Sequence, residues 1–183
     1  MEDAALVVRL LVGEKSSFDQ IYKKYSTELY RTAYLILRNK TDAEDATQDA
    51  FIALWQKAGS IKNPESLRYW LLKCVSGKSK DILRKRRKEY PDEDIATLSE
   101  ADTIGHSSTP APTDEIENKS VINERLAALP YKYREVLVLY YYNELSVSEI
   151  ANVTGQLKGT VKSRLFHARE KLRMDMEKEA GQH

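Results

Sequence analysis

The chain has 183 residues, 42% of them hydrophobic and 31% charged, which is typical of a globular protein and too apolar for a wholly disordered one. Roughly 100–200 residues make a domain, so we expect one domain or two small ones. The start Met1-Glu2-Asp3 is acidic and lacks the basic n-region of a signal peptide, so no signal peptide is expected. The longest clear apolar run, Val136 to Tyr142, is far shorter than the roughly 18 residues of a membrane span. The single cysteine, Cys74, excludes an internal disulfide and a Cys-based metal set. A secreted scaffold, a membrane protein and a zinc domain are therefore excluded.

The net charge of +1 conceals three blocks. Residues 1–90 carry 18 Lys and Arg against 12 Asp and Glu, residues 91–120 carry 1 against 8, and residues 121–183 carry 10 against 8. An acidic stretch between two basic ones indicates two modules joined by a linker.

Both flanks of the acidic stretch place apolar residues at three- and four-residue spacings, with few glycines and no alternating strand pattern. The sequence therefore predicts an all-α protein. In chain order, helices are expected near residues 3–12, 16–38, 41–58, 64–88, 114–128, 131–143, 146–154 and 159–177.

The stretch from Pro91 to Asp114 contains three prolines, a glycine and the polar tract His106-Ser107-Ser108-Thr109, and its few aliphatic residues follow no period. This composition predicts a flexible acidic linker over 91–113. We expect an N-terminal domain over 1–90 and a C-terminal domain over 114–183, each a small helical bundle.

The helix over 41–58 has two distinct sides. Thr41 is its expected N-cap, with Glu44 at the capping-box spacing, and a broad side rich in alanine should face the core. A separate stripe consists of acidic and amide residues around one isoleucine: Asp45, Gln48, Asp49, Ile52 and Gln56. Either the stripe is a solvated face with one stray apolar residue, or it is a protein-docking face.

The helix over 64–88 begins at Pro64, which suits a first helical turn, and has an apolar and a polar side. Cys74 falls on the apolar side, so we interpret it as a small core residue rather than a nucleophile. The polar side carries Tyr69, Lys73, Ser76, Lys80 and Arg84, and it leads into the basic run Arg84-Lys85-Arg86-Arg87-Lys88. A solvated helix end stabilised by the helix dipole would explain such a run, but five consecutive cations beside an aromatic favour nucleic-acid binding.

The segment 145–173 predicts a helix-turn-helix. Ser146 and Glu149 have the capping-box spacing, Gly155 supplies a turn, and a second helix starts near Gly159. The second helix has a narrow apolar stripe, and its remaining surface is basic and also holds Phe166. In a major groove, cations contact phosphates and an aromatic contacts a thymine methyl, so this helix is a candidate recognition helix.

Catalytic motifs are missing from the sequence: it has no P-loop, no Gly-rich dinucleotide fingerprint, no HExxH and no nucleophile elbow. Its three histidines, His106, His167 and His183, do not suggest a catalytic set. We therefore expect no enzymatic activity, no cofactor, no metal and no small-molecule substrate.

Two stretches of the chain resemble one known family. Region 2 of bacterial sigma factors resembles the run from Asp42 to Trp55, Asn63-Pro64 followed by Trp70-Leu71, and Asp81-Ile82-Leu83-Arg84-Lys85. Region 4 resembles Leu126-Leu129-Pro130, Arg134-Glu135-Val136, Leu145-Ser146 through Arg164, and Ala168-Arg169-Glu170-Lys171-Leu172. The order and spacing over 16–88 and 115–174 are similar to those of the extracytoplasmic-function (ECF) group of the sigma-70 family.

The resemblance implies an ECF sigma factor with two conserved regions, which binds core RNA polymerase, reads two promoter elements of stress-response genes and opens the duplex. A cytoplasmic location and control by an anti-sigma factor are further implications. Since the matching acidic helix in the family docks on the clamp helices of polymerase, polymerase binding is expected at Asp45, Gln48, Asp49 and Ile52. Minus-10 contact is expected at Tyr69, Lys73, Lys80 and Arg84, and minus-35 contact at Lys162, Ser163, Arg164, Phe166 and His167. The predicted DNA-binding set also includes Arg86, Arg87, Lys158 and Thr160.

The sequence departs from the family pattern in three respects. Gly77 stands where the family usually has Asn, Gln156-Leu157 replaces an apolar-Ser pair and so removes an N-cap hydroxyl, and Thr154 replaces a commoner Leu. Two other functions remain as alternatives. A conventional helix-turn-helix regulator would explain 145–173 but not 41–88, and an adaptor that binds only protein would leave both basic regions unexplained.

Overall fold

The computed structural model describes residues 2–89 and 120–180, with side chains from 2 to 88 and from 124 to 178. Every regular element in these ranges is helical, which confirms the all-α prediction. The α-helices are α1 (Glu2–Leu11), α2 (Lys15–Leu37), α3 (Lys40–Lys57), α4 (Leu67–Glu89), α5 (Ser120–Ala128), α6 (Tyr131–Leu137), α7 (Val147–Thr154) and α8 (Lys158–Ala180). Two 3₁₀ turns, Ala58–Ser60 and Pro64–Ser66, lie between α3 and α4, and a π turn, Val138–Tyr142, follows α6. The predicted linker over 91–113 lies outside the described residues.

The core of the first half forms where α2, α3 and α4 pack against one another. The alanine side of α3 faces inward as predicted, and Ala43, Ala46 and Ala50 are fully buried. Because alanine adds little bulk, the neighbouring helices approach closely at these positions, and larger side chains such as Leu29 and Leu71 complete the core. The helix α1 packs across α2.

The start of α3 differs from the prediction that Thr41 is the N-cap. The N-cap is Asn39, whose side chain accepts a hydrogen bond from the Asp42 N–H at 2.9 Å, and Thr41 lies exposed in the first turn. The cause is the end of α2, where Arg38 adopts a left-handed conformation with φ of 58° and reverses the chain. The next residue, Asn39, is therefore the one in position to cap α3.

The second half contains the predicted helix-turn-helix. Ser146 and Glu149 form the predicted capping box: the Glu149 N–H donates to Ser146 Oγ at 3.3 Å, and the Ser146 N–H donates to Glu149 Oε2 at 2.7 Å. Gly155 ends α7 with φ of +68°, a conformation that glycine adopts without a steric penalty. The turn leads into α8, and both α6 and α7 pack against α8.

The two helical units also pack against each other. Contacts join α4 to α7, α2 to α6, and α2 to the π turn. Ser76, which periodicity placed on the polar side of its helix, is consequently buried, because Glu135 of α6 lies over it and accepts its hydrogen bond. Helical periodicity describes one helix at a time and does not register a contact made by a distant segment.

Candidate nucleic-acid and protein interfaces

The acidic stripe predicted on α3 lies at the surface of the first half. Asp45 and Gln48 are exposed, and the side chain of Ile52 is 51% exposed. Asp49 is partly buried and forms an ion pair with Lys78 of α4, with 3.3 Å between Oδ2 and Nζ. We call the residues Asp45, Gln48, Asp49 and Ile52 the α3 face.

Two aromatic residues that the stripe did not include extend its apolar part. Trp55 is 51% exposed and lies one helical turn beyond Ile52, with its ring edge-on to Phe18 at 5.5 Å between centroids. Tyr22 of α2 is also exposed and contacts the ring of Phe51. The i, i+3 spacing from Ile52 to Trp55 was a signal for this patch in the sequence. A large exposed aromatic beside an exposed isoleucine is unusual for a solvated face and favours docking of a protein.

The polar side of α4 presents most of its predicted DNA contacts to solvent. Lys73, Lys80, Arg84 and Arg87 are exposed, and Arg84 forms an ion pair with Asp81 at 3.0 Å. The Tyr69 hydroxyl donates a hydrogen bond to the Glu149 carboxylate, which raises the pKa of Tyr69 and lowers that of Glu149. We call the residues Tyr69, Lys73, Lys80 and Arg84 the α4 face.

Arg86 differs from its neighbours in the basic run. Its guanidinium forms an ion pair with Asp42 at 2.8 Å, and only 23% of its side chain is exposed. This pair ties the end of α4 to the first turn of α3. Arg86 therefore has a structural partner. Its neighbour Arg87 is exposed and shows no such ion pair in the described part of the chain.

A cavity of about 830 Å³ lies beside the α4 face. Its first-half walls come from the turns between α3 and α4 and from α4 itself, and they include Tyr69, Lys73 and Gly77. Gly77 has no atom within 4 Å of the position that a Cβ would occupy, so the cavity is open at that point. Cys74 also lines this cavity, and burial raises the pKa of its thiol to about 11, which agrees with an unreactive packing residue.

The N-terminal half of α8 carries the predicted minus-35 residues. Lys158, Lys162, Ser163 and His167 are exposed, and Thr160 and Arg164 are partly buried. Phe166 is 60% exposed, and its only described aromatic neighbour is His167, with 5.5 Å between ring centroids.

Residues of α6 extend the surface around α8. Lys132 and Tyr133 line a groove of about 400 Å³ together with Gly159, Ser163 and His167 of α8. Tyr133 also lies 6.4 Å from the His167 ring. The sequence prediction omitted both α6 residues because only the fold brings that helix beside α8.

Two arginines in the C-terminal half of α8 are bound within the protein. Arg169 donates to the Tyr141 hydroxyl at 2.9 Å and lies over the rings of Tyr140 and Tyr141. Arg173 forms ion pairs with Glu170 and Glu177. Lys158 and Lys162, by contrast, are exposed near the start of α8, where a recognition helix contacts bases and phosphates.

Features of other protein classes are missing from residues 2–89 and 120–180. No helix there is long and apolar enough to cross a membrane. No group of His, Cys, Asp and Glu side chains in the same residues is placed to hold a metal ion.

Two family models match most of the described chain. The model of sigma-70 region 2 matches residues 21–89, and the model of sigma-70 region 4 matches residues 120–172. These matches cover α2 to α4 and then α5 to the middle of α8, so each contains one of the two basic faces. The chain belongs to the sigma-70 family of RNA polymerase sigma factors, in its extracytoplasmic-function group.

Curated relatives are similar to the chain over nearly its whole length. The ECF RNA polymerase sigma factor SigW of Bacillus subtilis is 31% identical, over 90% of this chain and 91% of the relative. The ECF RNA polymerase sigma factor SigM of Mycobacterium tuberculosis is 30% identical, over 93% of this chain and 82% of the relative.

Two solved structures share the fold. CnrH, in complex with the cytosolic domain of CnrY, matches with a TM-score of 0.66 and 24% identity, over 96% of this chain and 97% of its own. The sigma factor RpoE of Bartonella quintana, in complex with the anti-sigma factor NepR, matches with a TM-score of 0.69 and 24% identity, over 87% of this chain and 96% of its own.

Proposed function

We propose that this sigma factor binds core RNA polymerase through the α3 face and directs it to promoters that it reads with the α4 face and with α8. The observation that carries the proposal is the presence of three separate exposed surfaces on one chain. One is acidic and apolar, and two are basic with an exposed aromatic. A conventional DNA-binding regulator requires only a basic surface of the kind found on α8.

The division of labour follows the two family matches. Residues 1–90 form the domain for polymerase docking, minus-10 recognition and melting, and residues 114–183 form the domain for minus-35 recognition, joined through 91–113. Lys73, Lys80 and Arg84 supply positive charge to the minus-10 strand. Lys162 and Arg164 flank Ser163 and Phe166 on the side of α8 that enters the major groove.

We expect the protein to act in the cytoplasm with polymerase and not to be a catalyst itself, because sigma factors are transcription initiation factors. An anti-sigma factor is its expected regulator, as the partners of the two structural relatives suggest. Stress-response genes are the expected targets.

Reconstituted transcription tests polymerase docking. Replacing Asp45, Gln48 and Asp49 by Ala should weaken binding to core polymerase and lower initiation on a cognate promoter, because the variant removes two charges and an amide from the α3 face. Helix content by circular dichroism should stay unchanged, since none of the three side chains is part of the core. The matched control replaces Asp19 of α2 and Glu124 of α5, which are both exposed. These substitutions remove the same number of negative charges outside the α3 face.

Equal competition of the triple variant and the control for core polymerase would contradict docking through the α3 face. The same experiment separates the alternative functions. A conventional helix-turn-helix regulator would bind DNA without supporting initiation by core enzyme, and a protein-only adaptor would do neither.

A further inference from the structure

The groove between α6 and α8 lies beside the side of α8 that is predicted to read bases. Its volume is about 400 Å³, and Lys132 and Tyr133 of α6 form one wall. The other wall consists of five residues of α8: Gly159, Thr160, Ser163, Arg164 and His167. We call this space the α6–α8 groove. Gly159 has no atom within 4 Å of the position that a Cβ would occupy, so the groove is open beside that residue.

The residues that line the α6–α8 groove favour an anion. Every one of them except Gly159 carries a hydrogen-bond donor or a positive charge, and none of the described residues that line it is acidic. The cavity beside the α4 face differs, since Asp81 and Glu149 contribute to its walls. A phosphodiester group is negatively charged and only accepts hydrogen bonds, so its chemistry matches that of the α6–α8 groove.

Lys132 is the cation of this groove that is available to a ligand. Its side chain is exposed, and its ammonium lies 5.0 Å from the centre of the Tyr133 ring, a cation–π contact that keeps it beside the groove. Among the residues that the structure describes, no carboxylate forms an ion pair with it. Arg164 is partly buried and is shared with the protein: burial raises the pKa of Glu135, and the charge of Arg164 partly offsets this effect.

The place of the groove on α8 follows from helical geometry. Successive residues of an α-helix are about 100° apart, so Lys162 and Arg164 lie on opposite sides of Ser163. The major groove of B-DNA is about 12 Å wide, and a phosphate backbone borders it on each side. When Ser163 and Phe166 face the bases, Lys162 therefore faces one backbone. On the side of Arg164, α6 packs against α8, so the other backbone meets α6 and its Lys132.

We propose that the α6–α8 groove binds one phosphodiester group of the minus-35 element, with Lys132 as its cation and the hydroxyls of Thr160 and Ser163 as further donors. This inference rests on the proposed minus-35 role of α8. It makes α6 part of the promoter interface, so that a phosphate contact on each side holds α8 in the major groove.

Salt dependence tests this contact. The full chain is assembled with core polymerase, and a promoter is selected from random duplexes with the wild-type holoenzyme. The probe is a duplex fragment of that promoter that ends before the minus-10 element, so that strand opening does not contribute. Loss of one phosphate contact lowers the slope of log affinity against log salt by about one. The affinity deficit of Lys132→Ala should therefore be about threefold larger at about 50 mM than at about 200 mM salt, with unchanged base preference.

The matched control is Lys178→Ala. It removes the same charge from an exposed position near the end of α8, about 16 Å along the helix from His167, and should leave the slope unchanged. Circular dichroism checks that both variants keep their helices. A slope for Lys132→Ala equal to that of the wild type would overturn the proposal.

A second experiment identifies the phosphate. Each phosphate of the two minus-35 strands is replaced in turn by an uncharged methylphosphonate. Neutralising the phosphate that Lys132 contacts should weaken binding of the wild type and have little effect on Lys132→Ala, because that variant has already lost the contact. Lys162→Ala should show the same coupling with a different phosphate, on the other side of the major groove. The absence of any phosphate coupled to Lys132 contradicts the proposal.

Comparison of the two lysines separates failure of this inference from failure of the proposed function. If Lys162 is coupled to a phosphate and Lys132 is not, α8 lies in the major groove as proposed and the α6–α8 groove does not bind the DNA. If neither lysine is coupled to any phosphate, and Phe166→Ala leaves base preference unchanged, the minus-35 role of α8 is wrong and this inference fails with it.

Discussion

Phe166 is the residue on α8 whose environment best separates a structural role from a DNA-binding one. A buried phenylalanine truncated to alanine costs about 3–5 kcal/mol of stability, whereas changes at exposed positions stay within about 0.5 kcal/mol. Because Phe166 is exposed, we expect Phe166→Ala to leave the melting temperature almost unchanged and to weaken promoter binding by roughly 1–3 kcal/mol, with relaxed preference at one base pair. Thermal melting and promoter selection measure the two effects. The control Phe51→Ala removes a buried ring and should do the reverse.

A large loss of melting temperature with unchanged promoter preference would show that Phe166 packs against the protein.

Two adjacent arginines of α4 show how far the role of a single residue can be predicted from the sequence. Arg86 and Arg87 are adjacent members of one basic run, yet Arg86 pairs with Asp42 while Arg87 is exposed. The run itself was predictable from composition. Which cation is available to DNA depends on where α3 begins, and the sequence prediction placed the N-cap of that helix two residues late.

The start of α8 shows how helix termini contribute stability in this fold. Leu157 precedes Lys158, and its carbonyl accepts the first helical hydrogen bond from the Val161 N–H at 3.1 Å. It therefore occupies the N-cap position with a side chain that cannot accept a hydrogen bond and is 79% exposed. Leu157→Ser supplies a hydroxyl for the orphan N–H groups and should stabilise the protein by about 1 kcal/mol, which raises the melting temperature by about 2–4 °C.

Leu157→Ala is the matched control, because it removes the same exposed apolar surface without adding a cap. An equal rise in melting temperature for both variants would mean that the hydroxyl does not cap α8.

The positions of the helices were largely predictable from the sequence. The bounds of α1, α2, α4, α7 and α8 lie within about three residues of those predicted, because amphipathic spacing, Ser146 and Gly155 are local signals. The π turn after α6 was not predictable, since the pattern over 131–143 is that of a continuous helix.

The arrangement of the whole molecule depends on contacts that no local pattern encodes. Ser76, Asn143 and Arg134 are polar residues that a single helix would place in solvent, and each is buried against the other half of the chain. The sequence predicted three functional surfaces and two helical units. It could not predict that one surface faces the other unit, because that contact joins residues about 60 to 110 positions apart, while helical periodicity extends over a few turns.

The clearest consequence of that contact for pH dependence concerns Glu135. Burial raises its pKa above the ordinary value of 4.5, and the hydrogen bonds from Ser76 and Tyr131 and the charges of Arg164 and Lys80 offset this only in part. The folded protein therefore binds a proton that the unfolded chain has released. The stability from this group is fully present below pH 4.5 and is lost as pH rises through the folded pKa.

Glu135→Gln removes this titration and keeps an acceptor oxygen for Ser76 and Tyr131. We expect the stability of the variant relative to the wild type to increase as pH rises from 4.5 through the raised pKa of Glu135 and then to level off. Urea unfolding of both proteins from pH 4.5 upward measures this difference in stability. Acids with a lowered pKa, such as Glu149 and Glu170, do not contribute to the difference because both proteins contain them. A variant that loses stability relative to the wild type as pH rises would mean that the Ser76 and Tyr131 hydroxyls favour the charged carboxylate more than burial disfavours it.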